Sequence, residues 1–183
     1  MTTIRVDISG IDGVHGALDA YPRQARWALR SSINKTLGWV RTHGLRAISQ
    51  EHDVPLKVLR SKTIRSRRRV ALRPATSADL SGIAWFGLAP IKASYLGTPR
   101  QTMAGAHVRG HNFPGAFVST MPSGHLGIFK RKSKSRLPLK EQTVSLATSA
   151  SALRSIARQV PPRLSATFAQ NFNYAVNVRG RAA

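Results

Sequence analysis

Seven carboxylates, six histidines and no cysteine are what this chain of 183 residues offers for acid–base, nucleophilic or metal chemistry. Without cysteine there are no disulfides, no thiolate metal sites and no cysteine nucleophile. Asp7, Asp12, Asp19 and Asp53 stand where turns or helix caps explain them. A pair of carboxylates arranged for general acid–base work is therefore not indicated. His107 and His111 are four apart, but Gly110 and the strand and loop signals around them deny a shared helical face, and no third ligand stands near. Ser119, Ser123 and His125 supply hydroxyls and a base, without an acid close in sequence to orient the histidine and without an oxyanion motif. Gly-rich phosphate fingerprints are missing as well. The expectation is a protein that is not an enzyme, with no catalytic, cofactor-binding or metal-binding residues.

The chemistry the chain does have is cationic. Lys and Arg number 29 against 7 Asp and Glu, a net charge of +22. No acidic residue occurs from Val54 to Ala78, and none between Asp79 and Glu141. Intramolecular ion pairs within these stretches cannot neutralise the two runs SKTIRSRRR and KRKSKSR, so the balancing charge is expected on another molecule. Arg65, Arg67, Arg68, Arg69, Lys130, Arg131, Lys132, Lys134 and Arg136 are the residues expected to face a partner or DNA. Contacts from such side chains to phosphates position a partner without reading its sequence. Aromatic residues are 7% of the chain and do not interleave with the cations, which argues against a stacking platform for single strands. Helix-turn-helix and zinc-finger spacings are not found either.

The elements that would carry these cations read as α+β. TIRVDISGI alternates Ile4, Val6 and Ile8 with polar residues, a strand that ends at Gly10. From Pro22 the period lengthens: Ala25, Leu29, Ile33, Leu37, Val40, Ala47 and Ile48 form one stripe of a long helix over 22–50, while Arg23, Arg26, Arg30 and Arg41 lie mostly off it. Gly38 and Gly44 in that helix suggest close packing or a bend. Asp53 caps a short helix with Pro55 in its first turn. An antiparallel sheet over 69–130 follows, from SRRRVALRP through strands at Ser81–Leu88 and Ile91–Leu96 and a loop over 97–112 with one strand near Ala106–Arg109. Its last members are Gly115–Met121 and Leu126–Lys130, joined by the turn PSGH. A basic arm spans 130–141. Helices over 151–159 and 162–176 close the chain, within 151–177, with Pro161 and Pro162 separating them. Trp27, Trp39, Trp85 and Phe86 are expected in the core. With 42% hydrophobic residues and this length, a conventional core is within reach, and the whole of 1–183 reads as one domain.

The segment FPGAFVSTMPSGHLGIFKRKSKSRLPLKE resembles the signature of the minor tail protein Z family of long-tailed, lambda-like bacteriophages. The matching residues are Gly115, Ala116 and Phe117 with Met121, then Gly124 and His125, then Gly127 and Phe129, and finally Leu137 and Pro138 in RLPLKE. The resemblance implies a virion structural protein of tail completion, acting at the head-proximal end or neck of the tail. Its implied partners are further copies of itself in a hexameric ring, the tail terminator or tail tube protein, the head–tail connector proteins, and the end of the packaged double-stranded DNA. It implies a place in the virion after assembly in the host cytoplasm. The N-terminus lacks a secretory pattern and no run of 18 apolar residues occurs, so a soluble protein without a membrane partner is expected. A basic protein that contacts nucleic-acid phosphates non-specifically is the alternative that composition leaves open.

Overall fold

The computed structural model describes residues 2–7, 11, 13–61 and 69–178. Strand β1 (Thr2–Val6) is followed by α1 (Val14–Ala20), which sequence periodicity did not indicate, and by the long α2 (Pro22–Glu51) and short α3 (Leu56–Arg60). Strands β2 (Val70–Arg73), β3 (Gly82–Phe86), β4 (Ile91–Lys92), β5 (Arg100–Thr102), β6 (Gly105–Val108), β7 (His111–Pro114), β8 (Phe117–Thr120), β9 (Leu126–Arg131), β10 (Leu139–Glu141) and β11 (Thr143–Val144) come next. Helices α4 (Ala150–Arg158) and α5 (Val160–Asn177) complete an α+β order.

Helix α2 forms as its stripe dictates. Pro22 stands in its first turn, and Ala25, Leu29, Ile33, Leu37, Val40 and Ile48 are buried while Ala47 is half-buried. The helix is continuous through both glycines. Gly44 is a packing contact, since a Cβ there would lie 2.5 Å from the Phe86 ring, whereas a Cβ on Gly38 meets nothing within 4 Å. Helix α5 packs along α2 with Leu164 and Phe168 buried and Phe172 half-buried. A polar bridge crosses that contact: Lys35 Nζ donates to Asn171 Oδ1 (2.7 Å), and Asn171 Nδ2 donates to Ser32 Oγ (2.7 Å). Pro161 and Pro162 do not separate two helices. They occupy the first turn of α5, where a missing N–H costs nothing, and the break falls at Gln159.

Where one sheet was expected over 69–130, the strands among the described residues form four antiparallel sheets, in the orders β1-β3-β2, β10-β9-β8, β11-β4 and β5-β6-β7, with β1, β10 and β11 contributed from outside that range. In the first, Thr2 pairs with Phe86 and Val6 with Gly82, which buries Ile4 and Val6 against α2. Ile8 and Gly10 of the expected first strand, and Asp12, lie outside the described residues. Alternation along β3 buries Phe86 and leaves Trp85 half-exposed on the other face; Trp27 and Trp39 are likewise half-buried at the margin of the core rather than inside it. The expected strand Ile91–Leu96 ends after Lys92, because a 3-10 turn over Ala93–Tyr95 closes with Leu96 N–H donating to Ala93 O.

The largest departure is over 97–112, where three strands replace a loop with one. Gly105, at φ 150°, lies so close to the neighbouring backbone that a Cβ would fall 2.2 Å from Phe113 O, and Arg109 adopts φ 48° in the two-residue turn to β7. Asp53 does not cap α3. It takes φ 44° and accepts from Arg109 Nε (2.9 Å) and the Gly110 N–H (3.3 Å), fastening that turn to the end of α2.

Candidate functional site: a basic hairpin on a carboxylate anchor

Strands β8 and β9 form the first hairpin, in register from Phe117 opposite Phe129 to Thr120 opposite Leu126. Its turn closes with Met121 N–H donating to His125 O (2.9 Å) and Gly124 N–H to Met121 O (2.8 Å), with Gly124 at φ 77°. Gly115 takes φ 67° just before β8, and Ala116 beside it is buried. Gly127 is pressed by the Phe129 ring, 2.7 Å from where its Cβ would be. These positions explain why glycine stands at 115, 124 and 127: two need positive φ and the third needs space.

The segment 130–141 is not a free arm. Lys130 and Arg131 end β9, and β10 returns beside it with Leu139 opposite Arg131, Lys140 opposite Lys130 and Glu141 opposite Phe129. Lys132, Lys134, Arg136, Leu137 and Pro138 lie in the connecting loop, where the Leu137–Pro138 peptide is cis and Lys132 N–H donates to Pro138 O (3.3 Å). All five cations from Lys130 to Arg136 are exposed, and so is Leu137, at 67%. Lys130 and Lys140 are like charges directly across a strand pair, an arrangement that costs stability. Lys130 Nζ turns to donate to Pro114 O (3.0 Å), and the Arg131 guanidinium sits 5.8 Å over the Phe117 ring. Among the described residues no carboxylate pairs with any of these cations.

At the base of the hairpin stands Glu141. Its carboxylate lies 2.6 Å from Lys92 Nζ and 2.7 Å from His125 Nε2, and accepts from Ser94 Oγ at 3.4 Å. Burial pushes the Glu141 carboxyl upward, and the hydrogen bonds and charges of Lys92 and His125 outweigh it, so the group lies below its ordinary value. His125 thus has an acid to orient it after all, sixteen residues away and invisible as a local pattern. Its Nε2 meets that acid rather than Ser119 or Ser123. One carboxylate ties together the ends of three strands and so fixes the angle at which the cations project.

Sequence reasoning also missed two other constellations. His52 Nε2 lies 2.8 Å from Ser149 Oγ and 3.2 Å from Thr148 Oγ1, a base–hydroxyl pair that joins the end of α2 to the start of α4. Ser149 is fully buried, so this pair fastens elements and presents no nucleophile to a substrate. Gln101 is the other: its Nε2 donates to Gly105 O (3.0 Å) and its Oε1 accepts from Val118 N–H (2.8 Å), joining β5 to β8. His111 bonds to His52 O (2.8 Å) and His107 to Asn112 Oδ1 (2.7 Å). No group of three or more His, Asp or Glu is placed to hold a metal among the described residues.

Arg69 stands apart from the hairpin. Its guanidinium donates to Ala89 O (2.7 Å) and Pro90 O (3.5 Å), and burial lowers its pKa. Arg65, Arg67 and Arg68 lie outside the described residues, so of the cations expected to face a partner or DNA the hairpin cations and Arg69 have a described position. No helix among the described residues is long and apolar enough to cross a membrane.

A family model described as prophage minor tail protein Z (GPZ) matches residues 17–182. No curated protein and no solved structure matches the chain.

Proposed function

The chain belongs to the prophage minor tail protein Z family, a structural component of a phage tail, and from that premise we propose that it is a non-enzymatic tail-completion or neck protein, joining the head-proximal end of the tail to the head connector. In this reading copies of the chain form a ring, a hexamer, and the β9–β10 hairpin projects toward an acidic neighbour: the tail terminator or tail tube, or a connector protein. The observation that carries the reading is the hairpin itself. It keeps Lys130 and Lys140 on directly paired positions of two strands without a counter-ion among the described residues, while Glu141 holds the base. A fold retains such repulsion at a cost of about 0.2–1 kcal/mol. An external anion supported on the opposite side turns that cost into attraction.

The exposed Leu137 in the same loop favours a protein surface over a duplex, because a backbone of phosphates offers a leucine nothing to cover it. Direct contact with the end of the packaged DNA is the second reading, favoured by the number of cations on one loop. A phage carrying Lys132→Gln, Lys134→Gln and Arg136→Gln together tests both. Tail completion predicts filled heads and finished tails that fail to join, counted by electron microscopy, with the purified variant as stable as its parent. The DNA reading predicts that duplex binding by the purified protein loses salt dependence, its slope falling by about 0.9 for each phosphate contact removed. Normal yields of joined particles would overturn the first reading.

A further inference from the structure

A second cationic feature is concave. Between α2, α3 and β2 lies a cavity of about 370 Å³, with Arg41, Arg60 and Arg69 around it and Leu45, Leu59 and Leu72 as its apolar wall. Leu45 and Leu59 are buried and Arg41 and Arg60 exposed, so these leucines stand on the inner side and the two arginines on the solvent side. Arg69 is partly desolvated; among the described residues it bonds to neutral carbonyls, and none of the three arginines pairs with a carboxylate there.

We propose that this cavity binds a short segment of a different protein through an acidic side chain and an adjoining aliphatic one. Guanidinium forks match a carboxylate in two-pronged geometry, and the leucine wall takes the aliphatic neighbour. A duplex presents its phosphates on a convex rod that does not enter a recess lined by leucine. A second copy of this chain is a poor donor, because Asp7, Asp53, Asp79 and Glu141, four of its seven carboxylates, are already in ion pairs. The inference stands apart from the role proposed for the hairpin, and its test leaves the hairpin intact.

The probes are a fluorescein-labelled peptide of alternating aspartate and leucine, its asparagine–leucine counterpart, and a short labelled DNA duplex. Each is titrated with the full chain by anisotropy at about 0.15 M salt, where exposed charges are screened beyond about 8 Å. The acidic peptide binds more tightly than the neutral one. Arg41→Gln with Arg60→Gln weakens it about tenfold, from the loss of two charge-assisted contacts at the exposed rim of the cavity. Lys132→Gln with Lys134→Gln leaves it within about twofold, since those cations sit on another element. Arg41→Lys and Arg60→Lys, which keep the charge and lose the fork, give the same direction with a smaller loss and serve if the glutamine pair unfolds. An acidic peptide indifferent to the arginine variants, or weakened equally by both pairs, overturns the proposal. So does a duplex that loses as much as the peptide when the arginines change, since the cavity is then a phosphate site.

Discussion

Replacing Glu141 by glutamine removes one charge and keeps the shape, which isolates what that charge does. The carboxylate is 18% exposed and makes two short contacts, to Lys92 Nζ at 2.6 Å and His125 Nε2 at 2.7 Å, with those partners 43% and 33% exposed. Fully exposed pairs of this kind contribute about 0.2–1 kcal/mol, and charge-assisted hydrogen bonds at shielded sites about 1.5–3 kcal/mol. The partners' exposure discounts the second figure, and the amide still accepts one hydrogen bond, so Glu141→Gln costs about 1–2 kcal/mol. For a chain of this size that lowers Tm by about 2–8 °C. The pH dependence follows from the depressed carboxyl. Its folded-state pKa lies below the ordinary glutamate value, so its stabilisation is complete above that ordinary value and is lost as pH falls through the folded pKa. Urea unfolding of parent and variant across pH gives the measurement: a gap of about 1–2 kcal/mol at neutral pH that closes on acidification below the ordinary carboxyl range. A variant as stable as its parent at neutral pH, or a gap that persists undiminished near about pH 3, would refute the claim that this carboxylate anchors the hairpin.

The two glycines of α2 give opposite signs for one substitution. Gly44→Ala drives a methyl to 2.5 and 2.6 Å from the fully buried Phe86 ring and 3.2 Å from Leu153 Cδ2, an overpacking cost of about 3 kcal/mol against a helix gain of about 1, for a net loss of about 2 kcal/mol in the free energy of unfolding by urea. Gly38→Ala meets nothing and gains about 1 kcal/mol; equal effects at the two positions would contradict the packing described. Asn171→Ala breaks the bridge from Lys35 to Ser32 at the buried α2–α5 contact and costs about 1–3 kcal/mol, read by the same unfolding curves, with no change in the salt dependence of duplex binding.

The residues of α2 announced their helix because a stripe every third or fourth position is a local property, and burial of Leu29, Ile33, Leu37 and Val40 followed it. Chain-wide charge imbalance was equally legible: a stretch without Asp or Glu cannot neutralise itself, whatever its fold. The glycines at 115 and 124 were visible as a motif, and the positive φ angles supply the reason they are glycine. Where short strands pair was not legible, because Gly105 seats β6 against β7 by a close backbone approach that periodicity does not encode, and the 3-10 turn after Lys92 was hidden in the same way. Distance along the chain hid the rest. Glu141 meets Lys92 and His125, Asp53 meets Arg109, and Arg41, Arg60 and Arg69 surround one cavity, only because α2 and the strands fold back on each other. Composition by itself determined that this chain carries more positive charge than it can balance. Tertiary structure alone decided which cations are bonded to the body, which project on a braced hairpin and which enclose a recess, since each of those outcomes depends on contacts between residues far apart in sequence.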